Sequence, residues 1–328
     1  MTFYPITSSH WTTTQANCSW LNNTRSVPTH MITERRNPRS VDIDLFPTER
    51  VLKIINAEDA LVPAAVAAAI PDITKLVDAA VHSIRAGGHM IYVAAGTSGR
   101  IAITDAAEIP PTFSAPPEWV QAIIAGGPKA FAKAMEGSED DRDKAATDLR
   151  SKKLTQHDVV IGIAATGTTP YTLAALEFAR SKGATTAAIV CSENTPMSKM
   201  ADITVHVAVG PEVITGSTRM KAATAQKLVL NMLSTAVMIR LGMTYSNWMI
   251  NVSMTNQKLR ERGKHILEEI LGVKPNEAEK LVEASGANLK VAVIMGATGC
   301  DREKAEKQLV AAHGNLRGVL SHLGSGRE

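Results

Sequence analysis

The chain has 328 residues, a formal charge of +3, and 45% hydrophobic but only 4% aromatic residues. This is enough apolar sequence for one large domain or two smaller ones, and the low net charge favours neither a disordered chain nor a nucleic-acid-binding one. Three cysteines lie far apart without a CxxC pair, and no apolar run reaches the roughly 18 residues of a membrane span. We therefore expect a globular protein without a disulfide framework, a metal site, a nucleic-acid partner or membrane contact.

Residues 1–30 differ from the rest of the chain. They are rich in Ser, Thr and Asn, contain no acidic residue, and hold four aromatic residues, Phe3, Tyr4, Trp11 and Trp20. They have neither a helix or strand period nor the continuous apolar stretch of a signal peptide. We expect a disordered tail or an over-extended gene start, with Met31 as the initiator.

Two helices are predicted between residues 48 and 86. Thr48 can cap the first helix, and apolar residues recur at helical spacing beyond it. The second helix follows Pro71 and ends at Gly87-Gly88.

The middle of the chain alternates short apolar runs with helical stretches. The run 90–95 leads into Gly96-Thr97-Ser98-Gly99-Arg100 and a helix over 101–108, and the run 159–165 leads into Thr166-Gly167-Thr168-Thr169-Pro170 and a helix over 171–181. Further strands are predicted at 121–125, 186–191 and 203–207. Buried strands alternating with helices indicate an α/β fold with a doubly wound parallel sheet.

The sequence predicts that the C-terminal third is helical. Residues 215–245 predict one long helix, and residues 275–323 predict three short helices separated at Gly286, Gly299 and Gly314. We expect a main domain over 31–270 and a small helical subdomain over 271–328.

Both strand–loop–helix units suit a phosphate. Glycines let the backbone approach a ligand, and helix N-termini offer free N–H groups and partial positive charge. In open sheets, ligands gather at the carboxyl ends of strands. The candidate phosphate-binding residues are Thr97, Ser98, Gly99, Thr166, Gly167, Thr168 and Thr169. Such loops can also serve merely to start a helix, but the GxGxxG and GK[ST] nucleotide motifs are absent.

Two acidic features stand out. Glu108 precedes Pro110-Pro111, which we expect to stop its helix, and a carboxylate at a helix C-terminus is unfavourable for the helix dipole. The run Glu136-Gly137-Ser138-Glu139-Asp140-Asp141 is acidic and turn-like. On pattern alone this run is typical of a solvated surface turn.

Four blocks together resemble the N-acetylmuramic acid 6-phosphate etherase family, which belongs to the sugar isomerase (SIS) superfamily with the glucokinase regulatory protein. The resemblance covers about residues 32–325. The blocks are 33–38 (TERRNP), 95–113 (AGTSGRIAITDAAEIPPTF), 124–140 (from IAGG to EGSED) and 210–221 (GPEVITGSTRMK).

The resemblance implies cleavage of a lactyl ether at C3 of the sugar, giving N-acetylglucosamine 6-phosphate and D-lactate. A base removes the C2 proton of the open-chain aldehyde, an acid protonates the departing lactate, and water then adds. This chemistry needs two positioned carboxylates, without a metal or cofactor. The family's glutamates align with Glu108, expected as proton donor, and Glu139, expected as base.

The resemblance also implies a phosphate held by both loops. The etherases usually carry an arginine in the second loop where this chain has Thr168, which removes a possible charge-assisted contact. Glu212 and the run Gly216-Ser217-Thr218-Arg219 either line the sugar site or shape the turn into the long helix. A homodimer is implied, with residues 255–258 contributed by the partner chain, and a ubiquitin-associated-like C-terminal bundle.

Two other functions remain open. A non-catalytic sugar-phosphate-binding regulator would share the 210–221 block, and an aldose–ketose isomerase would fit the hydroxyl-rich second loop. The etherase hypothesis implies a cytoplasmic enzyme of peptidoglycan recycling.

Overall fold

Five parallel strands form the centre of the molecule. The computed structural model describes residues 32–252, 254 and 257–324, so the predicted tail over 1–30 lies outside the described residues. The strands pair in the order β2-β1-β3-β4-β5. They are β1 (Met90–Ala94), β2 (Val120–Ile124), β3 (Val159–Ile163), β4 (Thr185–Val190) and β5 (Ile203–His206). The α/β prediction is confirmed.

The described residues form fourteen α-helices. In chain order they are α1 (Thr48–Asp59), α2 (Val62–Ala68), α3 (Ile70–Arg85), α4 (Gly96–Phe113), α5 (Lys129–Ala132), α6 (Arg142–Ser151), α7 (Pro170–Ser181), α8 (Pro196–Met200), α9 (Lys221–Arg240), α10 (Gln257–Leu271), α11 (Pro275–Ala284), α12 (Leu289–Thr298), α13 (Arg302–Ala311) and α14 (Leu316–Gly324). Each connection between consecutive strands contains at least one helix, as is usual for parallel strands.

Both faces of the sheet are covered. Successive side chains of a strand point to opposite faces. In β1, Met90 and Tyr92 join a core with α2, α3, α4 and α9, whereas Ile91 and Val93 join a second core with α6 and α7. A strand that is buried on both faces consists of consecutive apolar residues, which is why β1 could be predicted from the sequence.

Among the described helices, α9 by itself is long and apolar enough to span a membrane by length and composition. The stretch from Thr48 to Arg85 passes the same test only as a pair bent by 59°. Val229, Leu233 and Val237 of α9 are fully buried in the first core. Packing within the molecule therefore accounts for the apolar character of α9.

Several helices differ from prediction. Thr48 is the first residue of α1, and Pro47 occupies the cap position without a side-chain hydrogen bond. The long helix begins at Lys221, because residues 210–220 form an irregular loop. The C-terminal stretch holds four helices instead of three, although Gly286, Gly299 and Gly314 do separate them.

The C-terminal helices have a core of their own. It joins α11 to α14 with Ile266 and Leu267 of α10 and with Ile250, which precedes α10. The packing therefore groups α10 with the C-terminal helices. The limits 31–270 and 271–328 remain predictions.

Candidate active site

A cavity of about 440 Å³ lies at the carboxyl ends of β1 and β3. The two strands are neighbours, as predicted, so the loops that follow them meet. Hydroxyl and carboxylate side chains line much of the cavity: Thr97, Ser98, Thr166, Thr168, Thr169, Thr218, Glu139 and Asp140. Among the described residues, no lysine or arginine lines it.

The first loop is the opening turn of α4, which starts at Gly96 and not after Arg100 as predicted. The N–H of Gly99 donates to the Ala95 carbonyl at 3.1 Å, so the N–H groups of Gly96, Thr97 and Ser98 precede the helix ladder. These N–H groups and the helix dipole favour an anion. Gly99 does not line the cavity; a Cβ there would lie 2.5 Å from Cγ1 of Ile124. Its smallness allows α4 to pack on β2.

The second loop connects β3 to α7. The Thr166 and Thr168 hydroxyls lie 2.8 Å apart and hydrogen-bond to each other. Gly167 has a φ of +66°, and a Cβ there would lie 2.4 Å from Oγ1 of Thr195, so both conformation and space require glycine. Thr169 occupies the cap position of α7 and Pro170 its first turn. Two helix N-termini therefore face this cavity.

Glu139 reaches the cavity from the acidic run. Ser138–Asp140 form a 3-10 turn after Gly137, whose φ is +73°. Asp141 then caps α6, because its carboxylate accepts the Lys144 N–H at 2.9 Å. Glu139 is exposed in the single chain and lines the cavity beside Thr97 and Ser98.

Glu108 does not line the cavity of its own chain. It is exposed on α4, on the same helix face as Thr97 and about 16 Å further along the axis. Pro110 and Pro111 do not stop α4, which continues to Phe113 and ends where Ser114 adopts a φ of +47°. The prediction that Glu108 lies at a helix end was wrong.

The two prolines are tolerated near the end of α4. Each lacks an N–H, so the carbonyls of Ala106 and Ala107 lose their helical partners. The helical hydrogen bonding resumes after them, because the Ser114 N–H donates to the Pro110 carbonyl at 2.8 Å. A proline pair therefore does not always mark the last turn.

A buried acid lies one turn before Glu108. Asp105 is 4% exposed, and it accepts hydrogen bonds from the Tyr92 hydroxyl at 3.0 Å and the Ser234 hydroxyl at 3.1 Å. Burial raises the pKa of Asp105 to about 6. This contact ties α4 to β1 and α9, and the sequence alone did not reveal it.

Glu212 is completely buried and caps α9. Its carboxylate accepts the N–H groups of Lys221 at 3.0 Å and Ala222 at 2.9 Å, and burial raises its pKa above the usual range. Glu212 and the half-buried Ser217 do not line the cavity. Thr218, which belongs to the run 216–219 considered for the sugar site, does line it.

The first and last sequence blocks are in contact. The Asn37 side-chain amide donates to the Pro211 carbonyl at 3.1 Å, and the Ser40 hydroxyl donates to the Val213 carbonyl at 2.7 Å. At the start of α9, the Lys221 ammonium pairs with Glu58 at 2.6 Å, with both side chains almost fully buried. These contacts fix the loop that carries Thr218.

Two family models match the chain. The model described as the glucokinase regulatory protein N-terminal SIS domain matches residues 72–180, and the SIS domain model matches residues 143–236. The matched segments contain both loops and the sheet between them. The fold is therefore an α/β fold of the sugar isomerase type, and the chain is an SIS-domain protein.

Sequence relatives identify the family of SIS-domain proteins to which the chain belongs. Over 291 residues the chain is 46% identical to the N-acetylmuramic acid 6-phosphate etherase of Geobacillus thermodenitrificans, covering 89% of this chain and 99% of that one. It is 48% identical to the etherase of Vibrio vulnificus strain YJ016, covering 89% and 97%. The chain belongs to the N-acetylmuramic acid 6-phosphate etherase family.

Solved structures show a more distant likeness. A phosphoheptose isomerase from Francisella tularensis is 20% identical with a TM-score of 0.45, covering 57% of this chain and 97% of that one. The family assignment rests on the sequence relatives.

Proposed function

We propose that the protein cleaves the D-lactyl ether of N-acetylmuramic acid 6-phosphate to N-acetylglucosamine 6-phosphate and D-lactate. The observation that carries this proposal is the identity of 43–48% over 89% of the chain to relatives that bear the etherase name. These relatives favour the etherase over the regulator and isomerase alternatives. The cavity supports the proposal with hydroxyl donors for a phosphate and a carboxylate beside them.

The substrate phosphate would lie between the N-termini of α4 and α7. The hydroxyls of Thr97, Ser98, Thr166 and Thr168 and the free N–H groups of α4 would donate to its oxygens. Since no described cation lines this cavity, the two helix dipoles would supply the positive potential. Thr218 would contact the sugar from the facing loop.

Glu139 would act as the base. It takes the C2 proton, the C2 electron pair forms the C2–C3 double bond, and the C3–O bond breaks toward the lactate oxygen. Glu108 would protonate that oxygen, so lactate leaves as the hydroxy acid. Water then adds at C3 of the unsaturated aldehyde and C2 regains a proton. A positioned acid or base typically contributes 10²–10⁴-fold to the rate.

Solvent-deuterium exchange separates the two roles. In Glu108→Gln, we expect exchange of the C2 proton to continue while lactate release falls by roughly 10²-fold or more, because only the acid is lost. In Glu139→Gln, we expect both to fall. If C2 exchange continues in Glu139→Gln and stops in Glu108→Gln, then Glu108 is the base and Glu139 is the acid. Glu136→Gln is the matched control, since Glu136 is exposed in the same acidic run but does not line the cavity.

A homodimer would bring the two glutamates together. Glu108 lies outside the cavity that Glu139 lines and is exposed on α4. We propose that Glu108 of one chain serves the cavity of its partner. The predicted contribution of residues 255–258 from the partner falls partly outside the described residues and remains a proposal.

Mixing two inactive variants tests this arrangement. We expect a refolded equimolar mixture of Glu108→Gln and Glu139→Gln to regain about a quarter of wild-type activity, because half of the dimers are mixed and each has one intact site of two. If both glutamates of a site belong to one chain, the mixture stays inactive and the shared-site proposal fails. The etherase proposal survives that result.

The setting of the reaction follows from its substrate. A lactyl-ether amino sugar is a cell-wall building block, so we propose a cytoplasmic role in peptidoglycan recycling. A strain lacking the protein should accumulate the sugar phosphate; unchanged levels would argue against this role.

A further inference from the structure

A second cavity, of about 580 Å³, lies far from the candidate active site. Arg85 at the end of α3, Trp119 just before β2, and Arg240 at the end of α9 line it. These positions belong to the amino-terminal edge of the sheet, whereas the candidate active site lies at the carboxyl edge. His313, in the loop before α14, closes the other side.

The cavity carries uncompensated positive charge. Arg85 donates through Nη2 to the Arg240 carbonyl at 2.9 Å, which brings the two residues together. Within the described part of the chain, the Arg240 guanidinium has no hydrogen-bond or ion-pair partner, and no carboxylate lines the cavity. Two arginines that line one cavity without an acid favour an anion there, and guanidinium groups suit phosphate and carboxylate geometry.

A third cation lies behind the cavity wall. Lys290 is 4% exposed. Its ammonium donates to the carbonyls of Gly242, a lining residue, at 2.9 Å and of Gly314 at 2.8 Å. No carboxylate of the described residues pairs with it, and burial lowers the pKa of this amine to about 8. A buried charge without a counter-charge is unfavourable, so a bound anion nearby would be stabilised by Lys290 as well.

Apolar side chains lie beside these cations, and the polar residues His313 and Asn315 complete the lining. Trp119 is half-buried, and Ile84, Leu241 and Met243 line the space around it. The volume falls in the range of roughly 300–1,000 Å³ that is typical of small-molecule sites. The candidate active site differs, because it offers hydroxyls and lacks both cations and aromatic rings among its described lining residues.

We propose that this cavity binds a small organic anion, whose phosphate or carboxylate pairs with Arg85 and Arg240 and whose ring packs against Trp119. The indole offers a flat apolar surface for such a ring. This site is separate from the proposed etherase reaction.

Calorimetric titration of the full chain tests the proposal with phenyl phosphate and benzoate as probes and neutral phenol as control. We expect at least one anion to bind at millimolar concentration or below, and phenol to bind much more weakly. Arg240→Gln should weaken anion binding by roughly tenfold or more, because one charge-assisted contact is lost. The preferred probe identifies the head group.

The variants distinguish this cavity from the active site. Since the Arg240 guanidinium has no partner in the described residues, its removal should leave both the unfolding temperature and lactate release unchanged. Lys280→Gln removes an exposed cation of α11 outside the cavity and should bind the probes like wild type. Binding that is absent, or that Arg240→Gln does not weaken, overturns the proposal.

Discussion

The buried ion pair at the start of α9 offers a quantitative test of how the cavity loop is held. In Lys221→Met, Glu58 would remain about 2% exposed with only the Arg39 guanidinium, itself 62% exposed, as an ionic partner. Removing one partner of a buried ion pair typically lowers the free energy of unfolding by about 3–5 kcal/mol. Because Arg39 still pairs with Glu58, we expect a loss of about 3 kcal/mol, at the lower end of this range. For a domain of this size that corresponds to a fall in unfolding temperature of about 6–12 °C.

Thermal unfolding followed by circular dichroism measures this shift. We also expect KM to rise, because Thr218 lies three residues before Lys221 and lines the cavity. The double variant Glu58→Met/Lys221→Met removes both charges and should recover at least half of the lost stability. If Lys221→Met unfolds within about 1 °C of wild type, or if the double variant is less stable than the single one, the ion pair does not hold this loop.

Three further outcomes are expected. Gly167→Ala should destabilise the protein and raise KM, because its φ of +66° and the nearby Thr195 leave no room for a Cβ; unchanged kinetics would contradict the tight loop. In Asp105, the folded-state pKa of about 6 lies above the usual value of about 4. The wild type should therefore lose up to about 3 kcal/mol of stability as pH rises from 4 to 6, and Asp105→Asn should remove this loss in denaturant titrations; parallel pH profiles would refute it. Burial raises the pKa of the Cys191 thiol to about 12, so a thiol reagent should modify the half-buried Cys300 before Cys191; equal rates at these two cysteines would contradict this burial.

Much of the fold could be predicted because parallel strands leave a strong signal. A strand such as β1, buried on both faces, must be apolar throughout, and glycine-rich turns follow two of the strands. Helix ends were harder to place. Pro110 and Pro111 lie inside α4, because the loss of two hydrogen bonds near its end is offset by the packing of Ile109 and Phe113 in the core.

The site was predictable where residues follow strands, as with Thr97, Ser98 and Thr166. Glu139 was found through the family resemblance, since its acidic turn alone looks like ordinary surface. The cap formed by Glu212 and the position of Thr218 depend on long-range contacts with residues 37–58, and no local pattern reports such contacts. The cavity at Arg240 brings together four distant segments of the chain, and for the same reason it could not be predicted from the sequence.

Release of D-lactate from N-acetylmuramic acid 6-phosphate by the purified protein is the decisive test of the etherase function. We expect one D-lactate and one N-acetylglucosamine 6-phosphate per substrate, with solvent oxygen incorporated at C3 of the sugar. Activity should fall by roughly 10²-fold or more in Glu139→Gln and stay at the wild-type level in Glu136→Gln. Tight sugar-phosphate binding without lactate release, or isomerisation of a hexose 6-phosphate in its place, would contradict it.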